Sequence, residues 1–150
     1  MDKILVAIKG SEGCNKVSKK AEELAFLCNS SVTFLTIEEP KYKFVMTEEA
    51  LKDQMKEVEG RKKETEEMLN KCSIIYKNCE ISMKEKGLKT NRIVKEGNNP
   101  AIDICNYAKE NNFDLILIAD KADKSIKEFL LGNVTEKVVR HSKISVLVVK

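Results

Sequence analysis

Apolar residues recur along the chain in two alternating rhythms, and the alternation predicts the fold. Residues 3–9, KILVAIK, form a short apolar run that ends in Gly-Ser-Glu-Gly, the pattern of a strand followed by a turn. Val17, Ala21, Leu24, Ala25 and Cys28 then fall at helical spacing across residues 14–28, with lysines and glutamates on the opposite face. Residues 31–37, SVTFLTI, are β-branched and aromatic and predict a second strand. A loop holding Pro40, Tyr42 and Phe44 follows. Thr47 has the form of an N-cap, and Glu48 and Glu49 complement the dipole of the helix it would open. Apolar positions then run from Leu51, Met55 and Val58 through Met68, Leu69 and Cys72 to Ile75, Tyr76, Cys79 and Met83, stopping at Gly87. They predict one long helix, or two collinear ones kinked at Gly60, lying over a sheet with its charged face to solvent.

Residues 88–95, LKTNRIVK, are a weaker strand. The turn Glu96-Gly97-Asn98-Asn99 leads to Pro100, a residue suited to the first turn of a helix. Ala101, Ile104, Cys105 and Ala108 set that helix's inner face. Asp114 to Ala119 and Ile144 to Val149 are the clearest strands, nearly continuous apolar runs of the kind found in central parallel strands. Between them a helix starts at Gly132-Asn133. The resulting β-α-β-α-β-α-β-α-β order implies a doubly wound α/β fold with a parallel sheet and right-handed crossovers. In such a sheet the ligand crevice lies at the strand ends where the winding reverses. The candidate loops are residues 9–14 and 119–132.

Composition narrows the function. A chain of 150 residues fits a single domain spanning 1–150. Charged residues make up 34% of it, yet both signs are interspersed and the net charge is only +3. A nucleic-acid face needs clustered Lys and Arg, so nucleic acid is not an expected partner. No apolar run approaches the ~20 residues of a membrane helix. The N-terminus enters a strand directly, without a signal-peptide pattern. A cytoplasmic protein is expected. Cys14, Cys28, Cys72, Cys79 and Cys105 form no C-x-x-C pair, and the single histidine, His141, has no metal-ligand spacing to them. They read as buried or half-buried free thiols, with Cys72 and Cys79 on one helix face. No metal site is expected.

The chemistry points to the crevice. A glycine followed by a polar residue at a helix start, beyond a strand end, is where folds of this class bind phosphate. Asn133 is a good N-cap, and Glu136 three positions on completes a capping-box pattern. Gly10, Ser11, Glu12 and Gly13 lack a following Gly-Lys-Ser/Thr and are therefore no P-loop; they read as the tight turn into the first helix, with Ser11 as its polar contact to the crevice. His141 falls in the last helix turn, where a positive ring suits the dipole. A general base, a metal cluster and an activated nucleophile are not recognisable, so no catalytic residue is assigned.

At these loops the sequence resembles the universal stress protein family. The resemblance is carried by ILVAIKGSE, IVKEGNNPAIDICNYAKENNFDLILIA and LLGNVTEKVVRHSKISVLVVK, and it covers essentially the whole chain. It implies a five-stranded sheet of order 3-2-1-4-5 with helices on both faces. It also implies a homodimer paired through strand 144–149 and, in many members, ATP with Mg²⁺ at the crevice. Members that bind ATP resemble one another in a G-x2-G-x9-G-[S/T] loop. The aligned residues here are Ala119, Ala122, Gly132 and Asn133, followed by Val134, so only Gly132 is retained outright. The aspartate those members carry at the end of the first strand is Lys9 here. Each alanine disfavours the positive φ a phosphate loop uses, by ~1 kcal/mol or more. Asp120 and Asp123 add carboxylates beside a triphosphate, partly offset by Lys121 and Lys124. The expected function is a dimeric stress-response regulator with weak or absent ATP binding; the alternative is an ATP-binding switch at the same crevice.

Overall fold

The computed structural model of the chain describes residues 1–8, 13–38, 46–120 and 133–150, less the side chains of 61–69, 71 and 72. Strands β1 (Lys3–Ile8), β2 (Ser31–Glu38), β3 (Thr90–Glu96), β4 (Leu115–Ala119) and β5 (Ser145–Val149) alternate with helices α1 (Cys14–Cys28), α2 (Glu48–Glu85), α3 (Pro100–Glu110) and α4 (Asn133–His141). The strands form one sheet of order β3-β2-β1-β4-β5, and every neighbouring pair is parallel. Each sequence-predicted element is present, and the order is the one the family resemblance implies.

Alternation along the strands explains why their runs are apolar throughout. Successive side chains point to opposite faces, and both faces are covered. Ile4, Val6, Val32, Phe34 and Leu117 face α1 and α2, where they meet Val17, Ala21, Tyr76 and Met83. Leu5, Ala7, Leu35, Ile116 and Ile118 face α3 and α4, where they meet Ala101, Ile104, Ala108 and Val138. The helices change face between β1 and β4, so the winding reverses there. The crevice predicted from topology lies beyond Ile8 and Ala119.

Local signals set the helix ends. Thr47 Oγ1 accepts a hydrogen bond from the Ala50 amide at 3.0 Å, and Asn99 Oδ1 accepts one from Ile102, so both act as N-caps. Three helices close through a left-handed residue: Asn29 (φ 53°), Gly87 (φ 75°) and Asn112 (φ 57°). After α2, the Leu88 amide donates to Met83 O at 2.9 Å and Gly87 donates to Lys84 O at 3.0 Å, the paired bonds of a Schellman motif. Only a residue without Cβ takes that φ at no steric cost, which is why Gly87 stands there.

β5 is an edge strand, where the implied strand order puts it, with Ser145 and Leu147 exposed and its other side chains half-buried. Of the two forms the sequence left open, α2 is one continuous helix of 38 residues, uninterrupted at Gly60. Two expectations need correction. Leu51 and Met55, read as the inner face of α2, are exposed, whereas Tyr76, Cys79 and Met83 near its C-terminal end are buried. Cys28 is exposed, unlike Cys14 and Cys79. Burial, with Glu22 and Glu80 nearby, pushes the Cys79 thiol up to about 11. It stays protonated near neutral pH and is a packing group there, not a nucleophile.

The opposite end of the sheet from the crevice is held by Asp114. Its Oδ2 accepts hydrogen bonds from the amides of Asp2 at 2.8 Å and Lys3 at 2.9 Å, tying the chain start to the entry of β4. The Lys3 amide, then that of Asp2, hold this carboxyl below its ordinary value of 3.8. A depressed carboxylate pKa gives stability that is present above the unfolded value and is lost as pH falls through the folded one. Asp114→Asn should therefore lower the melting temperature at pH 7, with the gap to wild type closing below about pH 4. Melts from pH 7 to pH 2 check this; a gap that stays constant would show that the charge plays no part.

Candidate functional site

The described rim of the crevice is built from the end of β4, the start of α4 and the start of α1. β4 ends at Ala119, which is half-buried. Its carbonyl accepts a hydrogen bond from Thr135 Oγ1 at 2.9 Å, and the next amide, that of Asp120, donates to Val149 O at 2.9 Å. Both polar groups at the exit of β4 are thus used within the protein. Thr135 is 3% exposed and sits in the first turn of α4, so its hydroxyl latches that helix to β4. Sequence reading passed over Thr135, although a polar residue beside an apolar helix face is the signal that would have found it.

Asn133 is exposed and Val134 is half-buried, both in the first turn of α4. α4 begins at Asn133. Glu136 Oε1 accepts from Arg140 Nη2 at 2.8 Å, one turn on, and does not reach back as a capping box would. Acidic Glu136 near the start of α4 and Arg140 and His141 near its end match the helix dipole. His141 is exposed at the far end of α4 from the crevice. Of the other predicted site residues, Lys9, Gly10, Ser11, Ala122 and Gly132 lie outside the described residues.

α1 brings in a residue that sequence reading took only as part of a turn. Gly13 stands immediately before α1, and its carbonyl accepts from the Val17 amide at 2.9 Å. A Cβ built on Gly13 would run into the methyl of Ala119. The start of α1 and the end of β4 are therefore in contact across the crevice floor.

These residues fit an anionic nucleotide only in part. The first turn of α4 presents the positive end of a helix dipole, which suits a phosphate. The exit of β4 does not suit one. Its methyl is in the contact with Gly13, its first amide is engaged by Val149, and Asp120 Oδ1 is shielded from solvent with no hydrogen-bond partner. A carboxylate in that state repels a phosphate group placed beside it. Among the described residues no group of three or more Asp, Glu, His or Cys side chains is arranged to hold a metal ion.

Comparison with known proteins gives consistent relatives. The sequence profile described as the Universal stress protein family matches residues 1–150. Universal stress protein MJ0577 of Methanocaldococcus jannaschii is 37% identical over 94 residues, 63% of this chain and 55% of that protein. Universal stress protein YxiE of Bacillus subtilis is 36% identical over 76 residues, 51% of each. The match thus spans about half the length of either relative. The solved structure of MJ0577 is 30% identical with a TM-score of 0.69, covering 99% of this chain and 95% of its own. Two more distant structures share the fold. A universal stress protein in complex with cAMP is 22% identical, with a TM-score of 0.67 over 99% and 97% of the two chains. One from Archaeoglobus fulgidus in complex with dAMP is 21% identical, with a TM-score of 0.59 over 100% and 98%.

The latch between Thr135 and Ala119 can be tested directly. Thr135→Val keeps the shape and removes the donor, leaving a part-buried carbonyl unpaired. It should cost about 1–2 kcal/mol of unfolding free energy, whereas Thr135→Ser should cost less. Chemical denaturation of the three proteins measures this. A valine variant as stable as wild type would remove the latch from the account of the site.

Proposed function

The chain belongs to the universal stress protein family, and we propose that it acts as a dimeric, cytoplasmic regulator of a stress response whose crevice binds ATP weakly or not at all. The observation that carries this reading is the exit of β4. There Ala119 is packed against Gly13, and Asp120 holds a carboxylate oxygen without a partner at the place where a phosphate chain would pass. Lys9 and Ala122, which depart from the ATP-binding pattern in the sequence, add to the case. If Lys9, Ala119 and Ala122 each remove about 1–1.5 kcal/mol, binding weakens by roughly two to three orders of magnitude. No helix among the described residues is long and apolar enough to cross a membrane.

A second reading, an ATP-binding switch, is favoured by the intact start of α4 and by the adenine nucleotides held in two structures of the same fold. The same titration separates the two. Calorimetry with ATP, with and without Mg²⁺, should give a dissociation constant in the high micromolar range or weaker. Nucleotide that copurifies and survives extensive dialysis would favour the switch. The chain has no Trp and only three Tyr, so nucleotide absorbance would stand out.

The dimer rests on β5. It ends the sheet, pairs with β4 on one side, and exposes Leu147 together with Val139 of the neighbouring α4. An apolar edge strand without a guarding charge or proline is a template for a second strand, and a twin copy supplies one across a two-fold axis. Light scattering at micromolar concentration should give a dimer. Leu147→Arg should dissociate it by about tenfold or more while leaving the fold intact, because Leu147 is not part of the monomer's core. A strictly monomeric wild type would end this part of the proposal.

A further inference from the structure

The sheet has two edges, and they differ in charge. β3 ends the sheet opposite β5 and pairs with β2 alone, in register along its whole length. It is the most exposed of the strands: five of its seven residues are exposed, and Val94 is 52% exposed. Two hydrogen bonds fix which of its backbone groups are used. The Val32 amide donates to Lys89 O and the Gly97 amide donates to Glu38 O, each at 2.9 Å, so the odd-numbered residues bond to β2. The N–H and C=O groups of Thr90, Arg92 and Val94 therefore point away from β2, along an edge that no described strand covers.

Cations stand on both faces of this edge. The Arg92 guanidinium lies 4.8 Å from the centroid of the Tyr76 ring, and its Nη2 donates to Glu80 Oε1 at 3.2 Å. Three residues on, and so on the opposite face, Lys95 Nζ lies 5.1 Å from the centroid of Tyr107. Exposed Lys89 precedes the strand, and neither it nor Lys95 forms an ion pair among the described residues. The aromatic rings hold Arg92 and Lys95 beside the open backbone, so little freedom is lost when an anion meets them. The same charges turn away strands of this protein. β5 of another copy is flanked by Lys143 and Lys150, and another β3 brings the same three cations. We propose that the β3 edge is a docking site for an extended acidic segment of a partner protein, which adds to the sheet as a strand beside β3. Its backbone pairs with the outward groups of Thr90, Arg92 and Val94. β-Branched residues suit contact with Val94. Carboxylates three positions apart meet Arg92, which keeps donors beyond the one given to Glu80, and Lys95 on the other face. Glu96 closes the basic stretch that runs from Lys89 to Lys95.

The probe is a short peptide of threonine and valine carrying glutamates three positions apart, with a twin carrying lysines instead. Hydrogen exchange is followed residue by residue as the peptide is added. The amides of Thr90, Arg92 and Val94 should slow by about tenfold or more, whereas those of Asn91, Ile93 and Lys95, already bonded to β2, should change little. The lysine twin should bind about tenfold more weakly or worse, and so should the glutamate peptide to the double variant Arg92→Glu, Lys95→Glu. Val94→Pro keeps every charge and every bond to β2 but removes one outward N–H, a change an edge strand tolerates. It should also weaken binding by about tenfold. A melt of each variant checks that it is folded. No binding of the glutamate peptide to wild type at millimolar concentration would overturn the proposal. Binding without the alternating protection, or unchanged by Val94→Pro, would overturn strand addition in favour of charge attraction alone. Equal binding of the two peptides would overturn the preference for acidic segments.

Discussion

The burial of β1 on both faces is the constraint on which the rest of this structure depends. Ile4, Leu5 and Val6 are wholly buried, and β1 pairs with β2 on one side and β4 on the other. A strand in that position needs helices above and below it. Parallel connections supply them only if the chain winds one way from β1 to β3 and the other way from β3 to β5. The reversal leaves a gap between the carboxyl ends of β1 and β4 that no crossover covers. The crevice is therefore a consequence of how the central strand is buried, and it exists whether or not a ligand uses it.

That logic also shows which features were legible in the chain. Helix ends are local, so Thr47, Asn99-Pro100 and Gly87 could be read from neighbouring residues, and the structure places each as expected. Strand identity followed from β-branched runs. The sheet order did not; it came from the family resemblance, because periodicity says nothing about which strands lie side by side. The same resemblance put the last strand at the sheet edge, where β5 lies with Ser145 and Leu147 exposed, although its apolar run alone reads like that of a central strand. Leu51 and Met55 were misplaced for a related reason. Helical spacing shows that a face is apolar, but not how far along α2 the sheet extends beneath it.

The site was legible in its parts and not in its contacts. Comparing the loop with a glycine pattern flagged Ala119 as a departure. It said nothing of Thr135, whose hydroxyl holds the Ala119 carbonyl from a helix 16 residues away. It said nothing of Gly13, more than a hundred positions earlier in the chain, which meets the Ala119 methyl. Lys9, Gly10, Ser11, Ala122 and Gly132 lie outside the described residues, so the sequence remains the source for them.

A missing glycine in a phosphate loop is usually argued through φ, since alanine resists left-handed backbone. At Ala119 that argument does not apply. The residue closes a β-strand paired in register with Val149 on β5, and among non-glycine residues only Asn29 and Asn112 of the described chain take positive φ. Its effect is one of occupied space, and space at this junction is shared with α1. The methyl of Ala119 fills the junction of β4 with α1, where the facing residue, Gly13, has none.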